Sequence, residues 1–361
     1  MGPGPDVRMV SALRGPVAPG HAPTSPAKMA SVRTIDWVDG EIRLIDQTRL
    51  PDDLVVLRIT ALDLLIDAIG RLAVRGAPAL GVAGALGVAL LAAANPGDPN
   101  AARLGAARLR AARPTAVNLA WGVDRALARL DEGPPAVLAE ALRIRDEDIE
   151  ACAAIAQRGA DLVRTLVARP RIRVMTICNT GSLAAVERGT ALGVIGELHA
   201  RGLLEEALPL ETRPLLQGAR LTAWELTRMD APFRLLVDAA AASTLARGMA
   251  DIVLIGADRI TRNGDTANKV GSFALALAAR HAGVPLLVVA PESTVDMATA
   301  SGTDIEIEER GPDEVTSFRG VRSAPAGTRT LNPAFDVTPA SLITAIVTDR
   351  RVIRLDRGET L

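Results

Sequence analysis

Cys178 ends the apolar run Arg173 to Ile177 and is followed by Asn179, Thr180, Gly181 and Ser182. A thiol at a strand end, beside basic groups and ahead of a helix start, can carry a proton or steady charge developing on a bound carbon. Asp258 closes a second apolar run, Ile252 to Ala257, and is followed by Arg259, Asn263, Asn268 and Lys269. In apolar surroundings a carboxyl keeps its proton to higher pH and can give it to a sugar oxygen. Arginine and lysine bind phosphate, and amides bind hydroxyls. The mixture suits a phosphorylated sugar better than a metal, which asks for several hard or imidazole ligands. Plainer alternatives stand beside both residues: Asp258 as a salt-bridged loop residue, Cys178 as a buried small hydrophobe.

Arg75 and Gly76 stand just before the charge-free stretch Ala77 to Ala94, and Arg113 precedes Pro114 at a second helix entrance. Backbone at a glycine can approach an anion that the neighbouring guanidinium reaches. The alternative is that Gly76 and Pro78 only turn the chain.

Such groups must be gathered by elements far apart in sequence. Residues 1–30, rich in Pro, Gly, Ala and Ser, are expected to be a disordered tail, residues 31–168 a mainly helical domain with a β-hairpin, and residues 169–361 a Rossmann-like parallel-sheet domain of an α/β protein. Thr34 to Asp46 alternates around Asp39-Gly40, the signal for a tight hairpin. Helices are expected over 54–72, over 77–94, on either side of 113–121, with Pro114 in a first turn, and over 137–166. Strands are expected at 172–177, 234–237, 252–255 and 286–289, alternating with helices at 183–201, 219–229, 244–249 and 273–282. A less sharply bounded strand is expected within 206–215, and a short helix followed by a β-type run within 342–355. In a parallel sheet the C-terminal strand ends face one crevice, which would bring Cys178, Asp238 and Asp258 together.

Composition narrows the function further. A net charge of -1 with pI near 6.4 argues against a duplex nucleic-acid surface. Two cysteines, and three histidines at 21, 199 and 281, give no zinc spacing and point to a reducing, cytoplasmic setting without a resident metal. The chain has neither a GxGxxG after a strand nor a P-loop, so no dinucleotide or nucleotide cofactor is expected. Ala77 to Ala94 is Ala- and Gly-rich with Gly81, Gly84 and Gly87 in one stripe, which reads as a buried helix packed closely on a neighbour rather than a membrane span.

Six segments, in order, resemble the S-methyl-5-thioribose-1-phosphate isomerase family of methionine salvage, within the superfamily of the initiation factor 2B alpha, beta and delta subunits. They are VRGAPALG from Val74, RPTAVNL from Arg113, CNTGSLA from Cys178, TRPLLQGARLTAWEL from Thr212, GADRI with NGDTANKVG from Gly256, and NPAFDVTP from Asn332. The resemblance implies a homodimer without cofactor that isomerises 5-methylthioribose 1-phosphate to 5-methylthioribulose 1-phosphate, with Cys178 and Asp258 as catalytic pair. It implies substrate contacts at Arg75, Gly76, Ala77, Arg113, Gln217, Asn268 and Lys269; Gln217 comes from the resemblance alone. Related activities, on 5-deoxyribose 1-phosphate or ribose 1,5-bisphosphate, and a non-catalytic initiation-factor role are the alternatives. Ile177 stands where many relatives have histidine, and Asp238-Ala239-Ala240-Ala241 replaces Asp-(Asn/Ser)-Met-Ala, two departures that bear on substrate preference.

Overall fold

The computed structural model describes residues 33–114 and 116–361; the expected tail, residues 1–30, lies outside them. Arg33–Leu361 forms one compact unit. It opens with the hairpin β1 (Ile35–Val38) and β2 (Glu41–Ile45). Both turn residues, Asp39 and Gly40, take positive φ, as a two-residue hairpin turn requires. The helix expected over 54–72 is divided: β3 (Val56–Ile59) pairs with β2, and α1 (Leu62–Gly70) follows. The alternating, β-branched first half satisfies an open sheet edge, and this tertiary pairing outweighs the helical spacing.

Four more helices complete the first part: α2 (Ala77–Ala94), α3 (Pro99–Arg110), α4 (Val117–Leu127) and α5 (Pro134–Leu166). Pro114 lies in the turn before α4, not in its first helical turn. α2 is long and apolar enough to cross a membrane, with mean hydropathy 2.0, yet 78% of it is buried inside the protein. Its glycine stripe makes this possible. A Cβ on Gly84 would stand 2.7 Å from the Leu119 carbonyl of α4, and one on Gly87 would stand 2.5 Å from Leu109 of α3.

The second part is built on a six-stranded sheet. Its elements are β4 (Ile172–Thr176), α6 (Ala191–Ala200), β5 (Leu204–Pro209), α7 (Ala223–Arg228), α8 (Ala241–Ala246) and β6 (Ile252–Ile255). A short antiparallel pair follows, β7 (Arg259–Thr261) and β8 (Thr266–Lys269), then α9 (Ser272–Ala282), β9 (Leu286–Val289) and β10 (Val295–Asp296). The chain ends with α10 (Asp313–Thr316), the hairpin β11 (Ser317–Phe318) and β12 (Val321–Arg322), then β13 (Phe335–Thr338), β14 (Ala345–Val347) and β15 (Val352–Ile353). The large sheet runs β15-β14-β9-β6-β4-β5, parallel except for β15. Alternate residues serve opposite faces. Val174, Leu254, Leu287 and Val347 pack with α5 and α6, whereas Met175, Val253, Val288 and Ile346 pack with α8 and α9. Burial on both sides accounts for the continuous apolar strands.

Three expected elements take another form. The strand expected at 234–237 is reduced to one isolated bridge at Leu236, with another just before it at Phe233, because Pro209 and Pro232 interrupt a regular ladder at this edge. The helix expected over 183–201 begins only at Ala191, after a single 3-10 turn at Ser182–Ala184 and an irregular stretch that includes Gly189 at φ 80. The short helix expected at the start of 342–355 is a 3-10 turn at Ala340–Leu342, and the β-type run is the β14–β15 hairpin. A second sheet, β10-β7-β8-β13, was not foreseen; the last four residues of GDTANK form its strand β8.

Candidate active site

Strand order reverses about β4: β5 lies on one side of it and β6 on the other. The crevice beyond these strand ends is where an open parallel sheet receives a ligand. Cys178 lies just past β4 with φ 67, a left-handed conformation that a non-glycine residue adopts only when its surroundings hold it there. They do so from both sides: the Cys178 N–H donates to Thr212 Oγ1 at 2.9 Å, and the Thr222 hydroxyl donates to the Cys178 carbonyl at 2.6 Å. Asp238 serves this arrangement from a distance. Its carboxylate accepts the N–H groups of Thr212 and Arg213, at 2.8 and 2.7 Å, and it does not line the cavity as the strand-end reading expected.

Asp258 follows β6 and faces the same cavity, its backbone N–H fixed to the Ala267 carbonyl of β8 at 2.9 Å. Burial pushes its carboxyl above the ordinary carboxylate range, opposed by the positive charges of Lys269, Arg113 and Arg75. Lys269 is itself buried; its ammonium donates to the Ala334 carbonyl at 2.7 Å and lies 4.9 Å from the centre of the Phe335 ring. Burial lowers its pKa, while Cys178 and Asp258 pull it back up. Asn268, next to it on β8, donates to Ser272 at 2.8 Å.

The opposite wall comes from the helical part. The α2 entrance brings Gly76 and Ala77, and Arg75 reaches across to Cys178 Sγ at 3.9 Å and to Asn179 Oδ1 at 2.8 Å. Gly76 has φ 95, and a Cβ there would lie 2.6 Å from the Ala184 backbone, so only glycine lets the two walls meet. Gly76→Ala is expected to cost about 1–3 kcal/mol in denaturant unfolding and to lose most activity. A variant as stable as wild type would remove this explanation of the wall. Arg113 enters from the loop before α4 and contacts Glu308 at 3.3 Å, a carboxylate that also binds Arg310 at 2.8 Å.

The nine residues that the family resemblance implies line one cavity of about 720 Å³ including its open mouth: Cys178 and Asp258 with Arg75, Gly76, Ala77, Arg113, Gln217, Asn268 and Lys269. Three of them keep a buried polar atom without a protein partner, namely Arg75 Nε, Arg113 Nε and Gln217 Oε1. Unpaired buried donors and acceptors are costly, and a ligand rich in phosphate and hydroxyl oxygens would satisfy them. Arg259 and Asn263, grouped with this mouth in the sequence, turn elsewhere: Arg259 pairs with Asp296 at 3.7 Å, and Asn263 closes the β7–β8 turn. Ile177 also lies off the cavity, 2% exposed in the core of the sheet.

Sequence reasoning missed Asn179, Leu215, Arg310 and Phe335 in the cavity wall, and Glu225 behind it. The missed signal was the acid of the LTAWEL segment, which nothing in its local pattern distinguishes from a solvated helix residue. No group of three or more His, Cys, Asp or Glu among the described residues is placed to hold a metal ion.

The model of the initiation factor 2 subunit family, IF-2B, matches residues 73–354, most of the chain. The protein belongs to this family. Within the IF-2B family it is 52% identical over 313 residues to the methylthioribose-1-phosphate isomerase of Anaeromyxobacter sp. (strain K), covering 87% of this chain and 91% of that one. It is also 52% identical over 324 residues to a probable bifunctional methylthioribose-1-phosphate isomerase/methylthioribulose-1-phosphate dehydratase of Nocardia farcinica, covering 89% of this chain but 59% of that longer protein. A 5-deoxyribose 1-phosphate isomerase of Moorella thermoacetica is 46% identical over 337 residues, 90% of this chain and 94% of that one. Among solved structures, the 5-methylthioribose 1-phosphate isomerase of Pyrococcus horikoshii superimposes with TM-score 0.81 at 40% identity, over 89% of this chain and 92% of that one. A protein of A. fulgidus titled translation initiation factor eIF-2B, subunit delta, gives TM-score 0.79 at 39% identity, over 90% and 96%.

Proposed function

We propose that the protein is an aldose-ketose isomerase converting 5-methylthio-α-D-ribose 1-phosphate into 5-methylthio-D-ribulose 1-phosphate, a step of methionine salvage. The observation that carries this reading is one cavity holding Cys178 and Asp258, whose carboxyl burial pushes above its ordinary range, beside Arg75, Arg113 and Lys269. The obstacle in the reaction is the phosphate on the anomeric oxygen, which prevents free opening to an aldehyde. Asp258 protonates the ring oxygen, so the C1–O bond breaks and leaves a hydroxyl on C4. Hydrogen then passes from C2 to C1, and the C2 hydroxyl releases its proton as it becomes the ketone; protons and electrons balance without a cofactor. Cys178 either carries the proton between C2 and C1 or stabilises charge during a hydride shift. Deuterium entering C1 in D₂O marks the first route, and its absence marks the second. The guanidinium groups and Lys269 hold the phosphate, and Gln217 and Asn268 hold hydroxyls. In this reading residues 31–168 and 169–361 act as two domains that share the site between them.

A second reading rests on the 46% identical relative named for 5-deoxyribose 1-phosphate. The test is kcat/KM for the 5-methylthio, 5-deoxy and 5-phospho sugars. Apolar lining at Leu72, Leu215 and Phe335 favours a group without charge, so the methylthio sugar is expected to be the best substrate and the bisphosphate the poorest, by about 100-fold or more. A preference for the bisphosphate would defeat the assignment, and a protein that turns over none of the three would revive the initiation-factor reading. The enzyme is further proposed to work in the cytoplasm as a homodimer, on the family resemblance. Light scattering that finds a fully active monomer would remove the dimer.

A further inference from the structure

Glu225 lies on α7, is 3% exposed and does not line the cavity. Its carboxylate nevertheless ties together the backbone that follows Cys178. Oε1 accepts the Asn179 amide N–H at 2.7 Å, and Oε2 accepts both the Ser182 N–H and its hydroxyl at 2.7 Å. Gly181 is the residue that lets the acid come so close: a Cβ there would stand 2.4 Å from both carboxylate oxygens. With the Asn179 NH₂ donating to Glu225 and, more weakly, to Thr222 Oγ1 at 3.3 Å, its carbonyl oxygen is left facing Arg75, which donates to it at 2.8 Å while its other terminal nitrogen lies 3.9 Å from Cys178 Sγ. The chain has one direction: carboxylate, amide NH₂, amide oxygen, guanidinium, sulfur.

We propose that Glu225 is a positioning residue of the active site, fixing the orientation of the Asn179 amide and through it the Arg75 guanidinium against Cys178. It is not among the residues that line the cavity, and it reaches the sulfur only through this relay. Removing its charge therefore predicts a specific fault. In Glu225→Gln the single amide oxygen can serve Ser182 or Asn179 but not both, and the Gln NH₂ then faces the Asn179 NH₂ or the Ser182 N–H, neither of which can accept it. An Asn179 amide that flips to accept from it then presents NH₂ to Arg75, which has nothing to accept it. The guanidinium moves off the thiol.

This inference builds on the isomerase reading, but its main test needs no substrate. Alkylation of Cys178 by iodoacetamide, followed by peptide mass so that buried Cys152 is read separately, is expected to slow about tenfold in Glu225→Gln at neutral pH. The decisive variant is the double exchange Glu225→Gln with Asn179→Asp. There the Gln NH₂ donates to a carboxylate at 179, which again accepts from Arg75, and the relay is restored with its charge moved one link. The double variant is expected to recover alkylation to within about threefold of wild type. In turnover the single variant is expected to lose kcat about tenfold with little change in KM, and the double variant to regain most of it. Alkylation unchanged in Glu225→Gln would overturn the proposal. So would a double variant no better than the single one, the result expected if Glu225 serves only the stability of α7. Restored alkylation without turnover of any sugar phosphate would instead keep the relay and count against the isomerase reading.

Discussion

Asp258→Asn is expected to lower kcat by about 10²–10⁴-fold while moving KM only a few-fold. Asparagine has the same shape and the neutral charge of the protonated acid, so binding survives and only the donated proton is lost. The pH dependence fixes the role. A general acid works in its protonated form, so kcat/KM falls as pH rises through the Asp258 pKa, and burial sets that midpoint above the ordinary carboxylate value of 3.8. The asparagine variant is expected to lose this descending limb. Were Asp258 a base, activity would instead fall as pH dropped through the same midpoint. The surrounding charges give a second check. Lys269, Arg113 and Arg75 hold the pKa down in the free protein, and a bound phosphate partly neutralises those cations. The limb in kcat, which reports the complex, is therefore expected at higher pH than the limb in kcat/KM. Coincident limbs would place the phosphate away from these three side chains.

The site was more legible in the sequence than the path of the chain that builds it. Cys178 and Asp258 each end a continuous apolar run, and a strand buried on both faces leaves that run as its trace; the crevice then follows from parallel topology. Arg75 and Gly76 were legible because they sit at the boundary of the charge-free helix α2. The failures share a cause. Residues 54–60 and 183–190 follow local spacing in the sequence, but their conformations are set by partners far away in the chain, β2 for the first and Thr34, Gln47 and Asp148 for the second. The irregular stretch after Cys178 also means that no α-helix start lies directly behind the thiol; α6 begins only at Ala191. In place of a helix dipole, Arg75, held by Asn179, brings a guanidinium nitrogen to 3.9 Å from the sulfur. Gln217, Arg310 and Phe335 had no local signal because their use depends on loops brought together only by the fold. The two departures from the family pattern lie off the cavity, Ile177 in the sheet core and Ala239-Ala240 in the 3-10 turn that begins at Asp238.

Cys178→Ala is expected to remove activity by a comparable factor, about 10²–10⁴-fold, with the fold retained. Retention follows from how the residue is held. Its left-handed backbone is secured by the Thr212 and Thr222 hydroxyls acting on main-chain groups, and none of those bonds involves the sulfur. The companion variant, Cys178→Ser, carries the mechanistic information. A hydroxyl can still donate a hydrogen bond to a developing oxyanion, but it is far less acidic than a thiol and shuttles a proton poorly at neutral pH. If Cys178 carries the C2 proton, serine is expected to be nearly as inactive as alanine, and wild-type turnover in D₂O to place deuterium on C1. If it only stabilises charge during a hydride shift, serine is expected to recover at least about tenfold over alanine, with no deuterium at C1. The two measurements must agree, because both report whether the sulfur gives and takes a proton. A Cys178→Ala protein with wild-type kcat, correctly folded, would exclude both roles and move the chemistry to Asp258 and Lys269 alone.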